Sequence, residues 1–135
     1  MELRRELEGF AGYLAAQRIT PEQLEYLRTI IREAETETVE MQDVSNITEY
    51  FDTRFHSLLY QATGNQKLVK ILQDLHIVML RIWFHVGFGA IGFIHQAQNF
   101  YKVFEALAQK EPENARTAME DHVDIYAAQI KEKFL

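Results

Sequence analysis

Apolar residues recur at three- and four-residue intervals along almost the whole chain, and nowhere do they alternate over a useful length. The first period belongs to helices and the second to strands, so the pattern predicts an all-α protein. Helices are expected over roughly 2–18, 21–42, 47–63, 66–86, 95–110 and 112–133. Punctuation agrees with these limits. Thr20-Pro21-Glu22-Gln23 is a capping box, with Thr20 as N-cap, Pro21 at the first helical position and Gln23 reaching back. Glu111-Pro112-Glu113 opens the last helix with acidic groups at its positive end. Gly64-Asn65 closes the third helix, and Gly87, Gly89 and Gly92 mark a break after the fourth.

The helices differ in how their apolar residues are distributed. The later half of the second, Glu33 to Glu40, is acidic and polar and reads as a solvated outer face. The fourth is apolar nearly all round, through Leu68, Ile71, Leu72, Leu75, Val78, Met79, Ile82 and Trp83. Such a helix is expected at the centre of a bundle or at a subunit interface. No internal repeat or low-complexity linker interrupts the series, so 135 residues read as one domain with its own core.

Composition narrows the chemistry. The chain has no cysteine, which excludes disulfides and zinc–thiolate sites and agrees with a cytoplasmic setting. No stretch is long and uncharged enough to span a membrane, and the start, Met1-Glu2-Leu3-Arg4-Arg5, is not that of a signal peptide. A net charge of −6 gives the domain no overall attraction to nucleic acid, so any DNA contact is expected from another part of a longer protein.

Candidate chemistry concentrates on a few polar residues in apolar surroundings. Asp52 and His56, four apart, stack on one face of the third helix and border its core stripe of Phe51, Phe55, Leu58 and Leu59. His122 shares a face with Ala115, Ala118, Met119 and Ile125 on the last helix and is expected to be buried. A buried carboxylate must be paired, hydrogen-bonded or bound to a metal. Carboxylate with imidazole is a ligand set for zinc, nickel or manganese, although a hydrogen-bonded Asp–His pair and a packed histidine would show the same spacing. Arg81 and His85 form a second four-residue pair on the fourth helix, where the arginine needs an anion: Asp74, Glu105 or the carboxylate of a ligand. Arg4 poses the same choice, between Glu8 and a ligand. Trp83, Phe84, Phe88, Phe93, Phe100, Tyr101 and Phe104 are either core or the lining of a cavity. Phosphate loops, nucleophile elbows and His-Glu-x-x-His motifs are absent.

The order of several short segments resembles a known family. Glu2 to Glu8 with Leu14-Ala15-Ala16, then Phe51-Asp52-Thr53-Arg54-Phe55-His56, Ala62-Thr63-Gly64-Asn65, Glu105-Ala106-Leu107, Ala115 to Met119 and His122 are similar to the C-terminal effector-binding (FCD) domain of FadR-like transcription regulators of the GntR family. The resemblance implies an antiparallel bundle of about six helices that binds a small organic acid and dimerises. It also implies a winged helix-turn-helix DNA-binding domain N-terminal to the bundle, for which this chain has no counterpart. Residues 1–135 would then be one effector-binding and dimerisation domain without enzymatic activity. In metal-binding members an Asp and three His hold the ion. Asp52, His56 and His122 occupy three of those positions, and Phe100 stands where the fourth ligand would be. His85 is the candidate replacement, with Arg81 or Arg4 meeting the carboxylate of the effector. Two alternatives stand beside this reading: a metal-free pocket in which Phe100 faces a more hydrophobic ligand, and a small metal-dependent enzyme using two His and one carboxylate, with Asp121 or Asp124 as its acid or base.

Overall fold

The computed structural model describes residues 1–37, 44–86 and 90–134, with side chains except at 36–37, 44–49, 83–84, 86, 90–96 and 134. Among the described residues six helices follow one another: α1 (Glu2–Arg18), α2 (Pro21–Glu37), α3 (Val44–Ala62), α4 (Gln66–Val86), α5 (Ala90–Ala108) and α6 (Pro112–Phe134). No strand occurs among the described residues. Expected and observed limits coincide for α1 and α4. The fifth helix begins at Ala90 rather than 95, so Gly92 lies inside it and not in the break. Gly87 and Gly89 lie outside the described residues, as does the acidic stretch beyond Glu37.

Local chemistry accounts for the helix ends. The Thr20 N–H donates to Gln23 Oε1 at 3.0 Å and the Gln23 N–H to Thr20 Oγ1 at 3.1 Å, the reciprocal bonds expected of the capping box. Asn65 caps α4 by accepting the Leu68 N–H at 3.1 Å, and Gly64 reaches the left-handed region, φ 64°, to turn the chain between α3 and α4. After α5, the Glu111 N–H donates to Ala106 O at 2.9 Å and the Lys110 N–H to Leu107 O at 3.2 Å. This is a Schellman end in which Lys110, φ 53°, takes the place usually held by glycine.

Helix α1 is the hub of the packing, lying chiefly against α6 and also touching α3, α4 and α5. Gly12 makes the close approach possible: a Cβ there would stand 2.7 Å from the Ala115 carbonyl oxygen and 2.9 Å from Met119 Cγ. Arg5 on the same helix pairs with Glu120 and Asp124 at 3.0 Å, so the register runs 5 to 120–124 and 12 to 115, which is antiparallel. The apolar core gathers Leu27, Ile30, Phe55, Leu59, Leu72, Leu107 and Met119, each 1% exposed or less. Helix α4 divides its apolar residues. Leu68, Leu72 and Met79 face the core, whereas Ile71, Ile77 and Val78 are exposed. Among the described residues, eight buried polar ones lie within this otherwise apolar interior, including Arg4, Glu8, His56, His76 and His122.

Candidate metal centre

Asp52 sits at the edge of the core with its side chain 17% exposed, and three histidines surround it. His56 is one helical turn further along α3 and fully buried. Its Nδ1 lies 2.8 Å from the main-chain oxygen of Asp52. A carbonyl oxygen can only accept, so Nδ1 carries the proton and Nε2 holds a lone pair. Nε2 is buried and has no hydrogen-bond partner. Second-layer carbonyls orient metal-bound imidazoles in the same way.

Helix α4 supplies His76, whose Nε2 is 3.2 Å from Asp52 Oδ2 without the alignment of a hydrogen bond. Helix α6 supplies His122, with Nε2 3.8 Å from Asp52 Oδ1 and Nδ1 buried without a partner. The His56 ring stands 4.6 Å from that of His76 and 4.8 Å from that of His122, centroid to centroid. One ligand atom from each of Asp52, His56 and His76 can be chosen so that all lie within 4.8 Å of one another. Donors around a tetrahedral zinc at about 2.0–2.1 Å are roughly 3.3 Å apart, so this set would need to contract only modestly around an ion.

Electrostatics favour the metal-binding protonation states of the imidazoles. Burial is the main cause that pushes His56 below its ordinary pKa and His122 well below it, and it takes His76 down to about 4. The three rings are therefore neutral at neutral pH. Asp52 is pushed the other way, upward by burial, with His76 and Arg4 opposing. A cation in its vicinity would relieve that strain. Buried neutral imidazole nitrogens without partners, set around a carboxylate, fit a divalent ion.

Helix α1 contributes a second polar group. Arg4 is buried, with Nε 3.8 Å from Glu8 Oε1 and its guanidinium carbon 5.3 Å from the Tyr126 ring centroid. Its charge acts on Asp52 and on all three histidines. Glu8 is fully buried and accepts the Tyr60 hydroxyl at 2.5 Å. The short-range Arg4–Glu8 pair expected from their spacing is thus present, though neither group is at the surface.

Other expected residues fall elsewhere. The α4 imidazole that reaches Asp52 is His76, not His85. At roughly 100° per residue, nine positions carry His85 to the opposite side of the helix, where it is exposed. Arg81 is exposed as well, so water solvates its charge and no buried anion is needed. Phe100 is at the centre: its ring stacks on Phe55 at 4.1 Å and stands 5.0 Å from the His122 ring. Asp121 and Asp124 are exposed, and Asp124 is engaged by Arg5. Of the aromatic group, the side chains of Trp83, Phe84, Phe88 and Phe93 lie outside the described residues. The sequence pattern does not single out His76 or Tyr60, and it offers Glu8 only as a partner for Arg4. His76 had a signal, because Leu68, Leu72 and His76 recur at four-residue intervals on the core stripe of α4.

Comparison with known proteins agrees with this architecture. The solved structure of E. coli McbR/YncC superposes with a TM-score of 0.87 over 99% of this chain at 17% identity. The chain spans 63% of the length of that structure. No curated protein matches the sequence. The FCD domain profile matches residues 1–125, nearly the whole chain. With Asp52, His56 and His122 all inside that match, the chain belongs to the FCD domain family.

Proposed function

We propose that this FCD domain is the sensor of a GntR-type transcription regulator, and that it takes up a small organic acid through a divalent metal held by Asp52, His56, His76 and His122. The observation that carries the reading is the convergence of three neutral, buried imidazoles from α3, α4 and α6 on one carboxylate. A nitrogen-rich set suits zinc or nickel better than manganese, which prefers oxygen donors. The ion supplies a Lewis-acidic position for the carboxylate of the effector, and Arg4 supplies a buried counter-charge on the α1 side. In this reading Phe100 has displaced a histidine of the family pattern and His76 takes over its task.

The effector acts by favouring one arrangement of the bundle over another, to the extent that it binds the two with different affinity. A separate winged helix-turn-helix domain would contact DNA, and the whole protein would work as a cytoplasmic homodimer. The exposed apolar residues of α4, Ile71, Ile77 and Val78, are the candidate contact between copies. The enzyme alternative gains nothing from the geometry, since its candidate acid–base groups, Asp121 and Asp124, are at the surface. Elemental analysis of the purified chain tests the centre. One equivalent of metal is expected, and it should be lost in His56→Ala and His122→Ala. Metal content unchanged in both variants would refute the site.

A further inference from the structure

Helix α4 is held along its length by different means. Leu68 and Leu72 sit in the main core, whereas Met79 lies outside it, in a small separate cluster with Tyr126 and Ile130 of α6. Among the described residues α4 packs on α1 and α3, and α6 on α1 and α5, but the two helices do not pack extensively on each other. A hydrogen bond bridges them. The Tyr126 hydroxyl donates to the main-chain oxygen of Met79 at 2.8 Å, and both residues are buried. A carbonyl oxygen has two lone pairs, so Met79 can accept this bond beside that of its own helix. The phenol thus grips the main chain of α4 and not a movable side chain.

Position gives that bond a role. His76 lies between Leu72 and Met79, where support from the main core gives way to support from Tyr126. Tyr126 follows His122 by four residues on α6, and Met79 follows His76 by three on α4, so each end of the bond shares a helical side with one imidazole. The bond crosses the same gap between helices that an ion shared by His76 and His122 would cross. We infer that Tyr126 is a positioning residue of the centre: its hydroxyl ties α4 to α6 and keeps His76 within reach of an ion held by Asp52, His56 and His122. This inference rests on the proposed metal centre and goes beyond its ligands. The need for such a strut follows from the helix that supplies the imidazole. A histidine at position 100 would stand on α5, which packs on α6 directly, whereas His76 stands on α4, which meets α6 chiefly through side chains.

Tyr126→Phe tests this, since it removes the hydroxyl and keeps the ring whose centroid lies 5.3 Å from the Arg4 guanidinium carbon. Zinc affinity, read by competition with a chromophoric chelator, is expected to fall about tenfold in this variant. The same substitution in a His76→Ala background should change the affinity by less than about twofold, because the imidazole that Tyr126 steadies is gone. Its effect on the urea midpoint of the metal-free chain should be similar in both backgrounds, which separates positioning from general stability. An equal fall in zinc affinity in both backgrounds, or none in either, would overturn the inference and leave the metal centre standing. An unaltered chain that binds no zinc would overturn the centre and the inference with it.

Discussion

His76 is the residue on which the proposed metal chemistry of this particular chain turns. It approaches Asp52 more closely than His122 does, 3.2 Å against 3.8 Å. Replacing it with Ala should weaken zinc binding by about 100-fold, as read by competition with a chromophoric chelator, whereas His85→Ala should leave the affinity unchanged. If His76 replaces the ligand lost at position 100, the double variant His76→Ala, Phe100→His should recover much of the loss. No recovery would mean that the two positions are not interchangeable. At this scale the sequence was partly legible. Asp52, His56 and His122 stood out because each interrupts or borders an apolar stripe. His76 lies on such a stripe as well, but the nearly all-round apolar pattern of α4 gives one imidazole little contrast. Arg81 and His85 attracted notice by their mutual spacing, yet spacing within a helix says nothing about which side faces inward.

Helix ends and helix contacts set the next scale. Lys110 holds a left-handed φ of 53°, which disfavours any residue with a Cβ. Lys110→Gly should therefore raise stability by about 0.5–1 kcal/mol in urea denaturation, provided the gain outweighs the extra freedom of glycine in the unfolded chain. Gly12 marks the opposite case. A methyl there would press on the main chain of α6, whose carbonyl cannot swing aside as a side chain could. Gly12→Ala should cost about 1–3 kcal/mol, and it should also loosen zinc binding, because α1 and α6 carry Arg4 and His122. A variant with wild-type stability would show that the two helices can separate without penalty. Element identity was readable throughout, since a period near 3.6 runs through every helix and capping chemistry marks the starts of α2 and α4. The start of α5 was not, because Gly92 signals a break locally while helix packing carries the segment through it.

For the whole molecule, the buried histidines make stability depend on pH. His76 has a folded pKa of about 4 against an ordinary 6.5. Above pH 6.5 neither state binds the proton and the full stability is present. Between 6.5 and about 4 the unfolded chain binds it and the folded chain does not, so stability falls, by on the order of 3 kcal/mol for this residue. His56 and His122 act in the same direction. Asp52, raised from 3.8, opposes them by taking up its proton earlier in the folded state, but it is one group against three. Urea midpoints of the metal-free chain should drop steadily from pH 7 to 4.5; a flat profile would contradict the buried, neutral state of the rings. Zinc at about 100 times its dissociation constant should add about 2.7 kcal/mol at pH 7, and less as protons compete for the imidazoles. The family was legible at this scale because its signature is an ordered series of short segments, each uninformative on its own. The buried polar group on α1 was legible only in part: the spacing of Arg4 and Glu8 shows their pairing, but Tyr60 joins them from α3 only when the chain is folded.

A metal held by His76 in place of a histidine at position 100 would change which parts of the chain the ion fastens together. Ligands at 52, 76 and 122 would close two loops through the metal, one short and one spanning about a third of the protein, and α5 would anchor neither. The ion becomes a removable clasp on α4, the helix whose other side is apolar and open to solvent. Loading and stripping the ion would then tighten and slacken that outward face directly, so that metal supply, and not the organic acid alone, would govern whatever docks there.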